Sequence, residues 1–504
     1  MKRNSLCAIG LSIVALTGCG GSNTNSPPAP PSAPVPVVPA PPPPPSPPPP
    51  SSSSWNLVQG FPITYQSGAG FFTEGPQSGI AIANFDQAPD LEFAVAGTAV
   101  PSVPSIQIFK STGTPLSGWP SSAVPGGTSP FVVVRRGAAG VGVFAGTSIV
   151  PSPTPLYATD NNGVLLPGWP ISSNNFTRGY PTAADFDNDG IDEVVVDEQD
   201  NRIHVYRLSG APLSGWPTPR LGNICPERAE GGISATAIAD LDRDGDLDIV
   251  SATERVTVIP QGVSLTCVAA YDASGIPITG FPRTIRGIPS MPMPAIGDLD
   301  RDGSPEIVVL RQFETGEIGV EVMSSAGTTL GTYAVTGGLL YSRSAPVLAD
   351  VNLDGLLDII VLTEGALNVI SADGRPLPGF PFIFSTLGEN RATLGNCGVV
   401  VGDIDGDGLP NLVFCDAAPG GGSLRLWGVN HRSVAIPGSP ITFSTLGGLP
   451  RGPAIADLDG DGKTEVLVGS QTQVWNYRWG TAPDGPIQWG QNGRDAQHSG
   501  RAGP

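Results

Sequence analysis

Between Ala237 and Ala252 the chain reads AIADLDRDGDLDIVSA, which crowds Asp240, Asp242, Asp244 and Asp248 into one short stretch ahead of an apolar run. Like charges this close repel, so the pattern calls for a partner of opposite sign. Alternate acidic residues in a tight loop bring hard oxygens to one centre, and a Gly at the sixth place permits a left-handed turn. Such oxygens suit Ca²⁺, which takes six to eight oxygen ligands and tolerates loose geometry. Bound there, the ion would tie together the two strands that the loop joins, and its binding free energy would add to folding stability.

The pattern D-x-D-x-D-G-x-x-[D/E] recurs. Candidate ligands are Asp185, Asp187, Asp189 and Glu193, then Asp240, Asp242, Asp244 and Asp248, then Asp298, Asp300, Asp302 and Glu306. They continue with Asp350, Asn352, Asp354 and Asp358, with Asp403, Asp405, Asp407 and Asn411, and with Asp457, Asp459, Asp461 and Glu465. One Ca²⁺ is expected in each of these six loops. Asn352 is a neutral but competent oxygen donor, whereas Asn411 closes its loop without a charge and should weaken that site. A degenerate copy, AIANFDQAPDLEFAVAG from Ala81, has Ala88 and Pro89 where acid and Gly belong, and no metal is expected there. The first half of the loop matches an EF-hand, but its closing acid comes at the ninth place and a strand follows instead of a helix. These are therefore not EF-hands.

The elements that hold the loops are set by their period. First acids at Asp185, Asp240, Asp298, Asp350, Asp403 and Asp457 are separated by 55, 58, 52, 53 and 54 residues. A fixed period of this size signals a propeller or solenoid. The degenerate loop begins at Asn84, two periods before Asp185, and FVVVRRGAAGVGVFAG from Phe131 fills the gap with its acids erased. Eight repeats result. Gly-Trp-Pro or Gly-Phe-Pro recurs at Gly60, Gly118, Gly168, Gly215, Gly280 and Gly379, with weaker forms at Gly331 and Gly438. Its aromatic residue is expected to pack between repeats. Asn162-Gly163, Ser209-Gly210, Ser274-Gly275 and Asp373-Gly374 mark hairpin turns. Each repeat counts as four strands. In the repeat around Asp240 these are the run into that residue, the run from Asp248, VAAYDA from Val268, and Ile276 to Phe281. The expected fold is all-β: a single β-propeller of eight four-stranded blades, with seven as the alternative.

These loops, followed by apolar strands and preceded by small-Pro pairs such as Ala345-Pro346, Gly452-Pro453 and Met293-Pro294, resemble FG-GAP/VCBS repeats. That resemblance covers roughly Trp55 to Arg501 and implies the calcium-binding propeller of integrin α-chains and of many bacterial surface proteins. It says little about activity. Integrin propellers have seven blades, so eight is a departure. The ending WGQNGRDAQHSGR from Trp489 resembles a terminal peptide of bacterial propellers and is expected to close or cap the ring.

Residues 1–18 read as a secretory signal, with Lys2 and Arg3 ahead of an apolar stretch too short to span a bilayer as a helix. LTGC at Leu16 to Cys19 resembles a bacterial lipobox, which implies cleavage before Cys19 and a lipid on it. Residues 19–54 form a Pro/Ser-rich linker, and residues 55–504 form the propeller. The linker cannot bury a core and favours extended polyproline II. Gly20, where an Asp tends to retain Gram-negative lipoproteins at the inner membrane, points to the outer membrane or cell surface. The formal net charge of −19 excludes the basic footprint that nucleic acid requires. Beyond Cys7 and Cys19 the cysteines are Cys225, Cys267, Cys397 and Cys415, an even number in an exported chain. The expected pairs are Cys225–Cys267 and Cys397–Cys415, each within one repeat.

No catalytic motif accompanies the loops. The three histidines, His204, His431 and His498, stand far apart in sequence, and no GxSxG, HExxH or phosphate loop occurs. The expected role is a surface-anchored propeller that binds a protein or glycan in the envelope or outside the cell, held to the membrane through Cys19. The alternatives are a calcium-dependent polysaccharide lyase, an activity known among eight-bladed propellers, and an envelope assembly scaffold.

Overall fold

The computed structural model describes residues 54–65, 79–96, 106–124, 128–147, 154–173, 181–198, 200, 202–219, 234–256, 264–287, 293–337, 345–385, 397–417, 423–444, 451–470, 472–480, 485–491, 495 and 501–502. All of them belong to one compact unit, Pro50–Pro504. The signal segment, Cys19, most of the linker, Cys225 and His498 lie outside the described residues.

Eight antiparallel sheets form the eight blades of a β-propeller. Blade 1 holds Ile80–Ala83, Glu92–Ala96 and Ile106–Lys110; blade 2 holds Thr128–Arg135, Val141–Thr147, Thr154–Asp160 and Ile171–Ser173. Blade 3 holds Thr182–Ala184, Glu193–Glu198 and Arg202–Tyr206; blade 4 holds Ser234–Ala239, Asp248–Val256, Ser264–Tyr271 and Arg283–Arg286. Blade 5 holds Ala295–Gly297, Glu306–Gln312, Ile318–Met323 and Thr329–Ala334; blade 6 holds Val347–Ala349, Asp358–Thr363, Ala366–Ile370 and Phe382–Ile383. Blade 7 holds Val399–Gly402, Asn411–Ala417, Ser423–Asn430 and Ile441–Ser444; blade 8 holds Arg451–Ala456, Glu465–Gly469 and Gln473–Trp479. The first strand of each blade contacts the first strand of the next, and that of blade 8 meets that of blade 1, so the ring closes. Among the described residues the one helical element is a single 3₁₀ turn at Gly137–Ala139, where blade 2 has lost its acidic loop.

Blade 8 is completed from the far end of the chain. Trp55–Leu57 pairs antiparallel with Gln473–Trp479, Trp55 facing Trp479, and Ile63–Thr64 pairs with its other end. This accounts for a Gly-Phe-Pro motif at Gly60 ahead of any acidic loop: it serves the last blade.

Second strands are buried on both faces, as in EVVVDE of blade 3 and DIIVLT of blade 6, because a blade is covered on either side by its neighbours. Hence their continuous apolar runs. The third strand of blade 3, RIHVY, alternates buried and half-buried residues, whereas those of blades 5 and 6 are buried throughout. The tryptophans of Gly-Trp-Pro do join blades. Indole N–H groups of Trp119, Trp169 and Trp216 donate to the carbonyls of Asn161 (2.9 Å), Leu208 (2.8 Å) and Ala273 (3.0 Å), each on the next blade's hairpin turn. One expectation needs correction. In blade 4 the outer strand is Arg283–Arg286, beyond the Gly-Phe-Pro, while Ile276 to Phe281 forms the turn before it, with a single bridge from Tyr271 to Pro277. Gly331, counted as a weaker form of the Gly-Trp-Pro motif, lies within a strand of blade 5.

The C-terminal segment does more than cap. Ile487–Trp489 pairs antiparallel with the first strand of blade 7. From there the segment touches other first strands: Ile455 of blade 8 donates to Gly490 O (2.8 Å), Ala502 donates to Ile296 O of blade 5 (2.8 Å), and Gln491 bonds Ile82 of blade 1. Trp489 is 2 % exposed.

Candidate metal centre

Each acidic loop joins the first two strands of its blade. The first Asp folds the loop around itself: Asp185 accepts the N–H of Asp189 (3.0 Å) and Gly190 (2.8 Å), Asp350 those of Asp354 (3.0 Å) and Gly355 (2.8 Å), and Asp457 those of Asp461 (3.1 Å) and Gly462 (3.0 Å). The sixth-place Gly takes positive φ in all six loops, as expected. The fourth place does so as well: Gly406, Gly460 and Asn188 suit it, whereas Arg243, Arg301 and Leu353 carry side chains that rarely adopt it. That second left-handed residue was not foreseen.

The ninth residue opens the second strand and is buried, between 1 % and 4 % exposed in every loop. One of its oxygens accepts the N–H of the apolar second residue: Glu193 from Phe186 (2.9 Å), Asp248 from Leu241 (2.7 Å), Glu306 from Leu299 (2.8 Å), Asp358 from Val351 (3.0 Å), Glu465 from Leu458 (2.7 Å) and Asn411 from Ile404 (2.9 Å). The apolar second residue is buried in turn and anchors the loop to the core. Burial pushes the carboxyls of Glu193, Asp248, Glu306, Asp358 and Glu465 up to about 7, and the neighbouring loop acids add to the shift. Asp405 is raised to about 7 by burial and by Asp407 and Asp403.

The arrangement fits a divalent cation. Asp185, Asp187 and Glu193 converge so that one oxygen of each lies within 4.8 Å of the others, as do Asp240, Asp242 and Asp248, and Asp298, Asp300 and Asp302. Asp240, Asp298 and Asp405 each hold a buried Oδ1 without a hydrogen-bond partner, which is the deficit a cation would fill. All donors are hard oxygens, the set that Ca²⁺ prefers.

The degenerate loop of blade 1 also brings acids together, as Asp86, Asp90 and Glu92. Lys110 Nζ sits 2.8 Å from Asp86 and holds its carboxyl below the usual range. A further group, Glu198, Asp200 and His204, lies at the opposite end of blade 3. There His204 Nε2 is 3.2 Å from Asp200 and Tyr206 donates to Glu198 at 2.9 Å. The partners of His204 are local: Asp200 stands four residues before it in the hairpin turn, Tyr206 follows on the same strand, and Glu198 approaches it from the other strand.

Cys397 and Cys415 form the expected disulfide. It does not clamp the Asp403 loop. Cys397 precedes the first strand of blade 7 and Cys415 lies near the end of the second, so the bridge pins the far end of the strand pair. Cys267 is disulfide-bonded, and Cys225, expected as its partner, lies outside the described residues.

The sequence signature of the FG-GAP-like repeat matches residues 185–251, 350–414 and 403–468, each match running from one acidic loop into the next blade's. The chain is thus a β-propeller built on FG-GAP-like repeats. No curated protein sequence matches it. Among solved structures it is similar to the V. cholerae biofilm matrix protein Bap1, at 12% identity over 90% of this chain and 97% of that one, with a TM-score of 0.43. It is also similar to BBS1N in complex with ARL6DN (10% identity, 85% and 97% covered, TM-score 0.39) and to quinohemoprotein alcohol dehydrogenase from Comamonas testosteroni (11%, 67% and 72%, 0.36).

Proposed function

We propose that the protein is an exported, calcium-stabilised propeller, anchored at the cell surface through Cys19, that offers a rigid ring to protein or carbohydrate ligands. The observation that supports this reading is the placement of the acidic loops. Every one stands between the first two strands of its blade, with its ninth side chain built into the strand core. A cation held there fastens a blade, so it belongs to the scaffold. Antiparallel blades put these loops at one end of the ring. The other end carries the connections between second and third strands and between successive blades, and recognition is assigned to that end. FG-GAP-like repeats suggest an extracellular or surface setting. Among the described residues no helix is long and apolar enough to cross a membrane.

Glycan-array and cell-adhesion measurements on the chain from residue 50 onward, with Ca²⁺ and with EDTA, test the reading. Saturable binding that EDTA abolishes is expected. No binding in either assay, with turnover of a polysaccharide, would establish an enzyme instead. Recovery of one stoichiometric partner from native membranes would establish a scaffold.

A further inference from the structure

In each blade with an acidic loop, one residue faces the ninth ligand from the third strand. Glu92 pairs with Lys110, Asn411 with Asn430 and Glu465 with Arg478. In the other blades the adjoining pairs Val194–Tyr206, Ile249–Tyr271, Ile307–Met323 and Ile359–Ile370 set Arg207, Asp272, Ser324 and Ser371 opposite Glu193, Asp248, Glu306 and Asp358. The facing residue is basic in blades 1, 3 and 8. It is neutral or acidic in blades 4, 5, 6 and 7.

The bases reach into the loops. Arg478 contacts the ninth acid Glu465, lies 2.8 Å from the fifth acid Asp461 and 2.7 Å from the third acid Asp459. Arg207 contacts Asp187 and stands 3.8 Å from Glu193. Lys110 holds Asp86. Blade 2 has no acids in its turn, and its Arg135 grips the buried Asp192 of the blade 3 loop through Nε (2.8 Å), Nη2 (2.6 Å) and its backbone N–H (2.7 Å). The arginine of the blade 4 loop reaches out of its own loop. Arg243 donates to the backbone carbonyls of Gly303 (2.6 Å) and Asp302 (2.7 Å) in the neighbouring loop. Unpartnered buried loop oxygens occur at Asp240, Asp298 and Asp405 in blades 4, 5 and 7, and also at Asn84 and Glu92 in the degenerate loop of blade 1, so the division rests on the facing bases and not on these oxygens.

We propose that Arg207 and Arg478 are resident counter-cations that stand in for Ca²⁺ in blades 3 and 8, so that the metal is needed only by the contiguous arc of blades 4 to 7. The proposal rests on the reading that these loops bind Ca²⁺ at all. A guanidinium is always charged and presents a planar fork of donors matched to carboxylates. A cation entering blade 8 must displace three contacts of Arg478 that are intramolecular. In blade 5 nothing on the facing strand competes. Blades 8, 1, 2 and 3 then form a half-ring neutralised by the chain's own side chains, and the other half waits for metal.

Calorimetric Ca²⁺ titration with hydrogen exchange tests this. Wild type should bind four ions at least about tenfold more tightly than any others. Arg478→Ser should raise the tight stoichiometry by one. Ser324→Arg should lower it by one; an Arg already occupies the matching turn position in blade 3, where Arg207 makes the same backbone bonds to Ala211 and Gly210 that Ser324 makes to Thr328 and Gly327. EDTA should speed amide exchange in the strands of blades 4 to 7 and leave those of blades 8, 1, 2 and 3 protected. Six equivalent sites, an unchanged count in both variants, or uniform deprotection in EDTA would overturn the division while the calcium reading stood. No calcium bound by wild type would overturn the calcium reading itself.

Discussion

The side chain of Gln488 pairs with the backbone of Asp350 in both directions, accepting from its N–H at 2.7 Å and donating to its carbonyl at 3.0 Å. Gln491 makes the same pair with Ile82, at 3.0 and 3.3 Å. Two glutamines of one short segment thus act as backbone surrogates at two first strands, in blades 6 and 1. Beside the segment, at the loop end of the ring, is a cavity of about 780 Å³ whose lining includes Asp240, Asp298, Asp350 and Arg501.

If this segment fastens the ring from within, its side chains should matter to stability out of proportion to its length. Trp489→Ala is expected to cost about 3–5 kcal/mol, the loss typical of a buried aromatic. Gln488→Ala should cost about 1–3 kcal/mol, since it strands backbone groups of Asp350. Urea unfolding of the two variants against wild type measures both. Losses below about 0.5 kcal/mol would mean that the ring holds without the segment.

Loss of one loop acid should be legible as one ion. Asp240→Ala should lower the Ca²⁺ stoichiometry by one and lower the melting temperature in calcium. A ligand at a hundred times its dissociation constant contributes about 2.7 kcal/mol per site. Asp86→Ala should change neither, since Asp86 is paired with Lys110. Calorimetry showing one site lost in both variants would put a metal in blade 1.

The metal-free ring should prefer mild acid. Glu193, Asp248, Glu306, Asp358 and Glu465 are raised to about 7 when folded, from 4.5 for Glu and 3.8 for Asp. Between those values the folded chain holds protons that the unfolded chain has released. The stability this provides is complete below about pH 4 and gone once pH passes about 7. In EDTA the melting temperature should therefore be higher at about pH 5.5 than at about pH 8. Calcium, which needs the ionised carboxylates, should reverse the order. A melt in EDTA that is higher at pH 8 would contradict the assignment of these five groups.

The Cys397–Cys415 bridge spans 18 residues, a loop for which chain entropy gives about 3 kcal/mol. Replacing both cysteines with Ala should remove about that much while leaving the calcium count intact, because Asn411 stands at the other end of the strand. Peptide mapping without reduction should recover the linked pair.

Repeat number, the all-β class and the acidic loops were legible because each is written as spacing along the chain. Closure of the ring was not read there: the peptide from Trp489 was expected to close or cap it, and only the pairing of Trp55–Leu57 with blade 8 explains why a Gly-Phe-Pro stands at Gly60 before the first loop. What spacing does not carry is cross-strand register. Arg478 follows Glu465 by thirteen places, and nothing in that interval tells that the two face each other. The same holds for Gln488 and Asp350, which are brought together only by closure of the ring. The fourth-place left-handed residues were missed for another reason: Arg243 and Leu353 lack the Gly or Asn that would advertise such a backbone.

The strand Trp55–Leu57 decides how tension would enter the molecule. Trp55 faces Trp479, the neighbour of Arg478, and Gly480 donates to the carbonyl of Ser54 at 3.2 Å. A pull on residue 54 is thus delivered at the rim of blade 8, at the acidic-loop end, onto a three-residue ladder. The opposite end of the ring, assigned here to recognition, points away from that pull. The blade under load is the one whose acids are gripped by Arg478, so the seam where the ring would first tear is fastened by a side chain that no chelator can strip away.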